Sequence, residues 1–409
     1  MSDLTNVFTD IADAIRAKTN SVNTYKPAEM AGEINNISGG GGEAVYNADG
    51  GEIATWFNSP VTIAYGVTNT AYMFNGCSNF NQPVDIPNSV TNTYYMFSEC
   101  YNFNQPVTIP NSVTRISGMF ASCYNFNQPV TIPNSVTDTD SMFGSCFNFN
   151  QPIDIPNGVT NTAYMFGSCS NFNQPIDIPN GVTKTTGMFS RCSNFNQPIN
   201  IPDSVTAISA MFSGCSNFNQ PINIPNGTTV TDSMFNSCSS FNQPVNIPDS
   251  VTYTYFMFNG CSSLNQPVII SNSVSNASAM FNHCSNFNQP VTIPNSVTNT
   301  AYMFMDCHNF NQPVTIPNSV TSVSYTFSNC PNLTHVFIKT NPSLNVRNMA
   351  RSKNNNLLLT IETNNTGKFI GTTTTTSITG TAITWTQDGT NYYNTQYNIR
   401  IVNNQSLAN

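Results

Sequence analysis

Twelve cysteines divide the sequence into equal steps, because each lies 23 residues after the one before, through eleven intervals from Cys77 to Cys330. No cysteine lies elsewhere in the 409 residues. Twelve of the 28 phenylalanines lie three residues before a cysteine, and 22 of the 25 prolines fall in two further columns of the same period. A fixed period of about 20–50 residues is typical of a solenoid, in which each repeat packs against its neighbours.

The repeat reads MF-x-x-C-x-N-FNQP-V-x-I-PNSVT and occupies residues 51–335. Val84 and Ile86 flank one residue, so they share one face of a short strand, with Pro83 and Pro87 at its ends. The inward side chains of the unit are expected to be Val84, Ile86, Val90, Met96, Phe97, Cys100 and Phe103. Asn81 and Gln82 form amide columns that can satisfy backbone groups at the turns. The pattern predicts a mainly β solenoid.

The cysteine column is interpreted as part of the core. A disulfide needs two Cβ atoms about 3.5–4.5 Å apart and turned toward each other, whereas stacked coils place parallel Cβ vectors about 4.8 Å apart. Zinc needs four ligands that converge, and the sequence has no C-x-x-C spacing. We therefore expect small apolar core residues, no metal site and no cofactor.

Composition excludes several classes of protein. Twelve Lys plus Arg against 20 Asp plus Glu give a net charge of −8, which argues against nucleic-acid binding. No run of about 18 apolar residues occurs, so we expect no membrane insertion. The first residues, MSDLTNVFTDIADAI, have neither a basic segment nor an uninterrupted apolar one, so a secretory signal peptide is not expected.

The repeat resembles the BspA-type leucine-rich repeats of bacterial surface proteins, and the related MF-x-x-C-x-x-FNQ repeats of bacterial surface lipoproteins. It departs from the usual BspA pattern in having MF where AF is common, and NQP ahead of the strand. The resemblance implies a right-handed leucine-rich-repeat solenoid that serves adhesion or the recognition of proteins and glycans, and it implies no catalytic residues.

The N-terminus predicts a separate attachment device. Apolar residues from Phe8 to Ile15 follow a helical period, so residues 1–38 are expected to form a helical attachment segment and residues 39–50 a Gly-rich linker. The stretch DIADAIRAKTNSVNTYKPAEMAGEINNI is similar to an N-terminal segment of tail and appendage proteins of phages that infect Gram-positive bacteria. That resemblance implies a virion protein, made in the host cytoplasm, whose partners are other tail proteins. We also expect a homo-oligomer.

Residues 336–409 are expected to form a β-rich cap over the end of the solenoid. LTHVFIKT is interpreted as a last solenoid strand. Further strands are predicted at Leu357–Ile361, Ser377–Trp385 and Tyr397–Val402. Aromatic residues of this region could form the core of the cap or a binding tip.

Candidate ligand-binding residues lie where the repeats differ from one another and face outward. Tyr101, Tyr124 and Phe147 occupy one position in three successive repeats and form an aromatic strip that could stack sugar rings or fill surface. The other candidates are Tyr94 and Tyr95 after the turn, and Asp85, Asp154 and Asp177 on the outward face of the strand.

These features favour a phage receptor-binding tail protein that recognises a glycan or protein on the host cell surface. The alternatives are a BspA-like adhesin on a bacterial cell surface and an ice-binding solenoid with T-x-T motifs, whose face Arg115 and Lys184 would interrupt. An enzyme is not expected, because no catalytic set is present. Asp138 and Asp140 are a carboxylate pair within one variable window, where they are expected to be solvated.

Overall fold

The computed structural model describes residues 57–340, 349, 358–363, 386–389, 391–394 and 399–403. The chain divides into two compact units, an N-terminal unit Met1–Pro202 and a C-terminal unit Asp203–Asn409. The attachment segment and linker predicted for residues 1–38 and 39–50 lie outside the described residues. Within the ranges given above, no helix is long and apolar enough to cross a bilayer.

Within each unit, one repeat forms one coil, and backbone hydrogen bonds join neighbouring coils along the segment that ends at the cysteine. In the coil of Cys100, alternate N–H groups donate to carbonyls 22 residues later at 2.8–3.1 Å, namely those of Thr93, Tyr95, Phe97 and Glu99. Between them, Met96 and Ser98 donate three residues back, to Thr93 at 3.1 Å and Tyr95 at 3.2 Å, and Tyr94 donates to Oδ1 of Asn92 at 3.1 Å. The segment is therefore bonded both within its own coil and to the next coil.

This alternating pattern requires a left-handed backbone at two positions of every coil. In the coil of Cys100 these are Tyr95 and Glu99, with φ of 51° and 62°. The same two columns have positive φ throughout the twelve coils; nineteen non-glycine residues carry it and five glycines complete the columns. A left-handed conformation costs an L-residue about 1–2 kcal/mol, so the bonds between coils outweigh a repeated local strain.

The core consists of the columns that the sequence keeps constant. Phe97 and Phe103 are fully buried and stack at 4.4 Å between ring centroids, and Phe212 and Phe218 do the same at 4.3 Å in the C-terminal unit. All seven side chains predicted to point inward from the first repeat unit are buried. The prediction of the core is confirmed at these seven positions.

The twelve cysteines are buried and carry free thiols. Each thiol with a described bond donates to a main-chain carbonyl 26 residues earlier, such as Cys146 Sγ to Phe120 O at 2.9 Å and Cys238 Sγ to Phe212 O at 2.9 Å. Cysteine suits this column because it is small and apolar, and its S–H adds a second hydrogen bond to a carbonyl that already accepts a backbone N–H, as Phe120 O does from Cys123 at 2.9 Å. The interpretation of the column as part of the core is confirmed.

The asparagine column next to the core closes the turns between coils. The side-chain oxygen of Asn81 accepts the backbone N–H of Asn104 at 2.9 Å and Nε2 of Gln105 at 3.2 Å. The same pair of bonds recurs from Asn104 to Asn127 and Gln128. The predicted role of the amide columns is confirmed.

The prediction of a strand in every repeat is wrong. Residues Val84–Ile86 alternate in burial as a strand would, with Val84 and Ile86 buried and Asp85 exposed, but they form no ladder. Because Pro83 and Pro87 lack N–H groups, only the three residues between them can donate, and so short a ladder is marginal. The described repeats are therefore poor in β-structure. The strands that do form within repeats all lie in the C-terminal unit: β1 Val245–Asn246, β2 Val268–Ile269 and β3 Val314–Ile316.

The C-terminal unit ends in a six-stranded sheet that continues from the last repeats. The remaining strands are β4 His335–Thr340, β5 Leu358–Thr363, β6 Thr386–Asp388, β7 Asn391–Asn394 and β8 Ile399–Asn403. The strand order is β3-β4-β5-β8-β7-β6, with β3, β4, β5 and β8 parallel and β7 and β6 antiparallel. Val314 pairs with Val336, so LTHVFIKT does form the last solenoid strand.

The other C-terminal predictions are met in part. The strands predicted at Leu357–Ile361 and Tyr397–Val402 correspond to β5 and β8. The strand predicted at Ser377–Trp385 lies outside the described residues. The parallel pairing of β4 with both β3 and β5 shows that the repeat geometry passes directly into the terminal sheet.

The buried thiols should resist labelling in the folded protein. Burial raises the pKa of Cys77 and of Cys330 to about 12, and the more deeply buried thiols are also shifted upward. A raised pKa keeps the thiol neutral at pH 8, whereas the thiolate is the reactive form. We expect a water-soluble thiol reagent to label the cysteines in guanidinium but not in buffer. Rapid labelling of most of them in the native state would contradict the buried column.

The left-handed columns predict opposite effects of glycine at two adjacent sites. Ser122 has φ of 61°, whereas Ala121 lies outside the left-handed region. Glycine at this position removes a strain energy that is larger than the free-energy cost of the added conformational entropy of the unfolded chain. Ser122→Gly should therefore raise the free energy of unfolding by about 0.5–1 kcal/mol. Ala121→Gly, the matched control, should destabilise by about 0.5–1 kcal/mol. Chemical denaturation measures both; equal effects of the two substitutions would show that φ is not the cause.

Candidate functional site

The aromatic strip predicted from the sequence is a continuous stack of rings on the surface of the N-terminal unit. Tyr101 and Tyr124 stack with centroids 4.4 Å apart and ring planes 8° apart. Tyr124 and Phe147 stack at 4.6 Å and 19°. Tyr101 and Phe147 expose 36% and 40% of their surface, while Tyr124 between them is half-buried. The structure therefore brings these three predicted residues together.

The backbone places these rings in register. The N–H of Asn125 donates to the carbonyl of Tyr101 at 3.2 Å, and the N–H of Asn148 donates to the carbonyl of Tyr124 at 3.2 Å. These bonds hold the residue after the cysteine at the same place in each coil, so neighbouring side chains meet face to face. The ring faces between the three residues are consequently occupied, and the stack offers solvent its edges and its two terminal faces.

The hydroxyl of Tyr101 remains protonated at neutral pH. Partial burial raises the pKa of the phenol, and the charge of Glu99 and the neighbouring Tyr124 phenol add to the effect. A protonated phenol both donates and accepts hydrogen bonds. The Tyr101 end of the stack thus combines an apolar ring with a polar edge close to a carboxylate.

An exposed asparagine ladder, whose residues are not among the sites predicted from the sequence, runs beside the strip. Asn125 Nδ2 donates to Asn102 Oδ1 at 3.2 Å, and Asn148 Nδ2 donates to Asn125 Oδ1 at 3.3 Å. The ladder continues to Asn171 at 3.3 Å. In the sequence, the ladder corresponds to the asparagine two residues after each cysteine, which hardly varies between repeats. In the structure this asparagine faces solvent. The ladder gives the strip a polar flank of amide donors and acceptors.

Tyr94 and Tyr95 belong to a second aromatic cluster in the same unit. Tyr95 stacks on Tyr72 at 5.7 Å, Tyr94 meets the edge of Tyr72 at 5.4 Å, and the Arg115 guanidinium lies 5.4 Å from the centroid of Tyr94. The ring of Tyr95 covers Gly118, where an added Cβ would overlap its atoms. The rings of this cluster therefore cover part of one another's surface, and burial raises the pKa of Tyr95.

The three candidate aspartates do not form one site. Asp85, Asp154 and Asp177 are all exposed on the outward face of the extended segment. Asp154 and Asp177 lie on neighbouring coils and line a groove of about 330 Å³ with Pro152 and Pro175. In the described ranges, no three or more His, Cys, Asp or Glu side chains come together as a metal site would require.

Two polar pairs outside the predicted site are engaged in local bonds. Asp138 Oδ1 accepts the N–H of Asp140 at 2.9 Å, and Asp140 Oδ1 accepts the hydroxyl of Ser141 at 2.6 Å, so each carboxylate is bonded to a residue close by in the chain. In the C-terminal unit, His283 Nδ1 lies 3.3 Å from Asp306 Oδ2, and Asn329 Nδ2 donates to Asp306 Oδ1 at 2.5 Å. These arrangements tie neighbouring residues or coils to one another.

Comparison with solved structures identifies the fold. The chain is similar to a leucine-rich repeat protein from Bacteroides ovatus, with a TM-score of 0.52 and 19% identity over 82% of this chain and 98% of that one. That likeness shows the fold of a leucine-rich-repeat solenoid. The chain is also similar to a leucine rich cell surface protein from Faecalibacterium prausnitzii (TM-score 0.41, 23% identity, 68% of this chain and 78% of that chain). A third similar structure is the pneumococcal vaccine antigen PcpA (TM-score 0.48, 13% identity, 80% of each chain).

Comparison of sequences gives the family. No curated protein matches the chain. The pattern of DUF285, described as a Mycoplasma protein of unknown function, matches repeatedly across the solenoid, at residues 52–154, 132–203, 179–272, 202–293 and 248–341. These matches cover more than half of the chain and coincide with the 23-residue repeats. The chain therefore belongs to the DUF285 family.

Proposed function

We propose that the protein is a bacterial, BspA-like surface adhesin that binds a glycan or a protein of a partner surface through the outward residues of its solenoid. Of the functions considered from the sequence, this is the alternative to a phage receptor-binding tail protein. It is supported by the BspA-type repeat and by a fold shared with a bacterial leucine-rich repeat protein. The segment that resembles phage tail proteins, residues 1–38, precedes every family match, and the similar structures named above are bacterial.

The contrast between constant and variable columns carries the proposal. The residues of the constant columns are buried in the core or hydrogen-bonded to a neighbouring coil, as Phe97, Cys100 and Asn104 are. A variable column follows the cysteines on the surface, and in three successive coils it holds the aromatic residues Tyr101, Tyr124 and Phe147. Exposed aromatic side chains grouped on a rigid scaffold are typical of recognition surfaces.

The proposed role is binding without catalysis. The acidic and imidazole groups described above are exposed or held in local hydrogen bonds, and none is paired with a nucleophile in a pocket. An extended, regular surface instead allows many weak contacts to act together, which is how repeat proteins bind large ligands. We expect the ligand to be recognised without a metal or cofactor.

Replacing Tyr101, Tyr124 and Phe147 together with Ser should weaken attachment of the purified protein to cells at least tenfold. Each aromatic contact contributes about 0.5–1.5 kcal/mol, and about 1.4 kcal/mol corresponds to tenfold in affinity. Attachment is measured by titrating fluorescently labelled protein onto cells that bind the intact chain. The fold should persist, because neighbouring coils already accommodate Ser at this position, as at Ser170.

The matched control is Tyr302→Ser with Tyr325→Ser. These two rings also stack on the surface, at 5.2 Å, but belong to the C-terminal unit. The control should bind as the intact protein does. Undiminished attachment of the folded triple variant would place recognition elsewhere and would overturn the role of the strip.

A further inference from the structure

The stack formed by Tyr101, Tyr124 and Phe147 ends abruptly at Phe147. The next residue in this column is Ser170, followed one coil later by Ser193. Ser170 Oγ donates to the carbonyl of Phe147 at 3.2 Å, so its side chain lies against the backbone. The outer face of Phe147 is therefore uncovered at the level where a fourth ring would lie.

The two ends of the stack differ chemically. Tyr101 carries a hydroxyl and lies close to Glu99, whose charge acts on its phenol. Phe147 carries no polar atom and is the more exposed of the two terminal rings. Its face is thus apolar throughout, and one side of the vacant level is bordered by the amide of Asn171, which is exposed and donates to Asn148 Oδ1 at 3.3 Å.

This combination matches one class of ligand. A pyranose ring has a face of C–H groups and a rim of hydroxyls, so it can cover an aromatic face while its hydroxyls bond to adjacent amides and serine oxygens. A neutral sugar is favoured over an anionic one, because the chain carries a net charge of −8. A ring 4–5 Å above Phe147 would continue the spacing of about 4.5 Å seen within the stack.

We propose that the outer face of Phe147, above Ser170 and beside Asn171, is a subsite for one neutral pyranose ring of a glycan. This inference rests on the proposed function and makes it specific: the sugar extends the stack at one end, and the edges of the three rings are not its binding surface. The strip then acts as a preformed support that fixes the orientation of Phe147 before the ligand arrives.

The test is Ser170→Tyr, which adds a ring where the sugar is proposed to bind. The new tyrosine should stack on Phe147 as Tyr124 stacks on Tyr101, filling the subsite while lengthening the strip. The probes are methyl β-D-galactopyranoside and methyl β-D-glucopyranoside, observed by saturation-transfer NMR with the full chain. At least one glycoside should bind the intact protein with upfield shifts of its C–H protons, and Ser170→Tyr should weaken that binding at least tenfold.

Two further variants make the result decisive. Ser78→Tyr adds a ring at the Tyr101 end and should leave glycoside binding unchanged. Phe147→Ser removes the platform without adding bulk and should abolish binding, even if Ser170→Tyr were to perturb its coil. Protection of the cysteine thiols reports that each variant is folded.

The outcomes separate this inference from the proposed function. Equal or tighter glycoside binding by Ser170→Tyr would overturn the subsite, because it would show that the sugar does not need the outer face of Phe147. Loss of binding in Ser78→Tyr alone would overturn it in favour of the other end. If the intact protein attaches to cells through the strip but binds neither glycoside, the subsite is wrong and the adhesin function stands. If the intact protein neither attaches to cells nor binds a glycoside, both proposals fail.

Discussion

Each coil is held to the next by a backbone that divides its N–H groups between two directions. In the segment before each cysteine, alternate N–H groups bond to the following coil, as that of Phe97 does, and groups between them bond within their own coil, as that of Met96 does. That division forces a left-handed backbone at two positions per coil, and it sets the spacing at which buried and exposed side chains repeat. The phenylalanine core, the thiol bonds and the surface stack all depend on this register.

The exposed features follow from the same register. Because the backbone returns to the same place in every coil, a side chain that faces solvent stands directly beside its counterparts. Asparagine in such a column becomes a ladder, as from Asn102 to Asn148, and aromatic residues become a stack. The chemistry of the surface is therefore decided by which residue types occupy consecutive repeats, and only secondarily by local structure.

Much of this could be predicted from the sequence, for physical reasons that also explain what could not. The period and residue type identified the cysteine, phenylalanine and Asn81 columns, because packing leaves those positions little choice. The left-handed positions were not foreseen: residues as different as Tyr95 and Glu99 occupy them, so composition gives no signal. Pro83 and Pro87 leave only three N–H groups for a ladder, which makes a strand marginal: equivalent prolines flank β1 and β3, where a strand forms, and Val84–Ile86, where none does. The sequence period predicted that Tyr101, Tyr124 and Phe147 lie next to one another, but it did not predict that their rings stack face to face.

Within residues 57–340, the hydrogen bonds between coils of one unit join each coil to its neighbours, through partners such as Asn81 and Asn104. Removing one whole repeat from the gene would therefore join two coils whose contacting surfaces already match, and duplicating one would insert a coil that fits on both sides. Recombination between repeats can thus lengthen, shorten or shuffle the exposed aromatic column without redesigning the core. A chain built in this way can change its binding surface in steps of one repeat while remaining folded at each step.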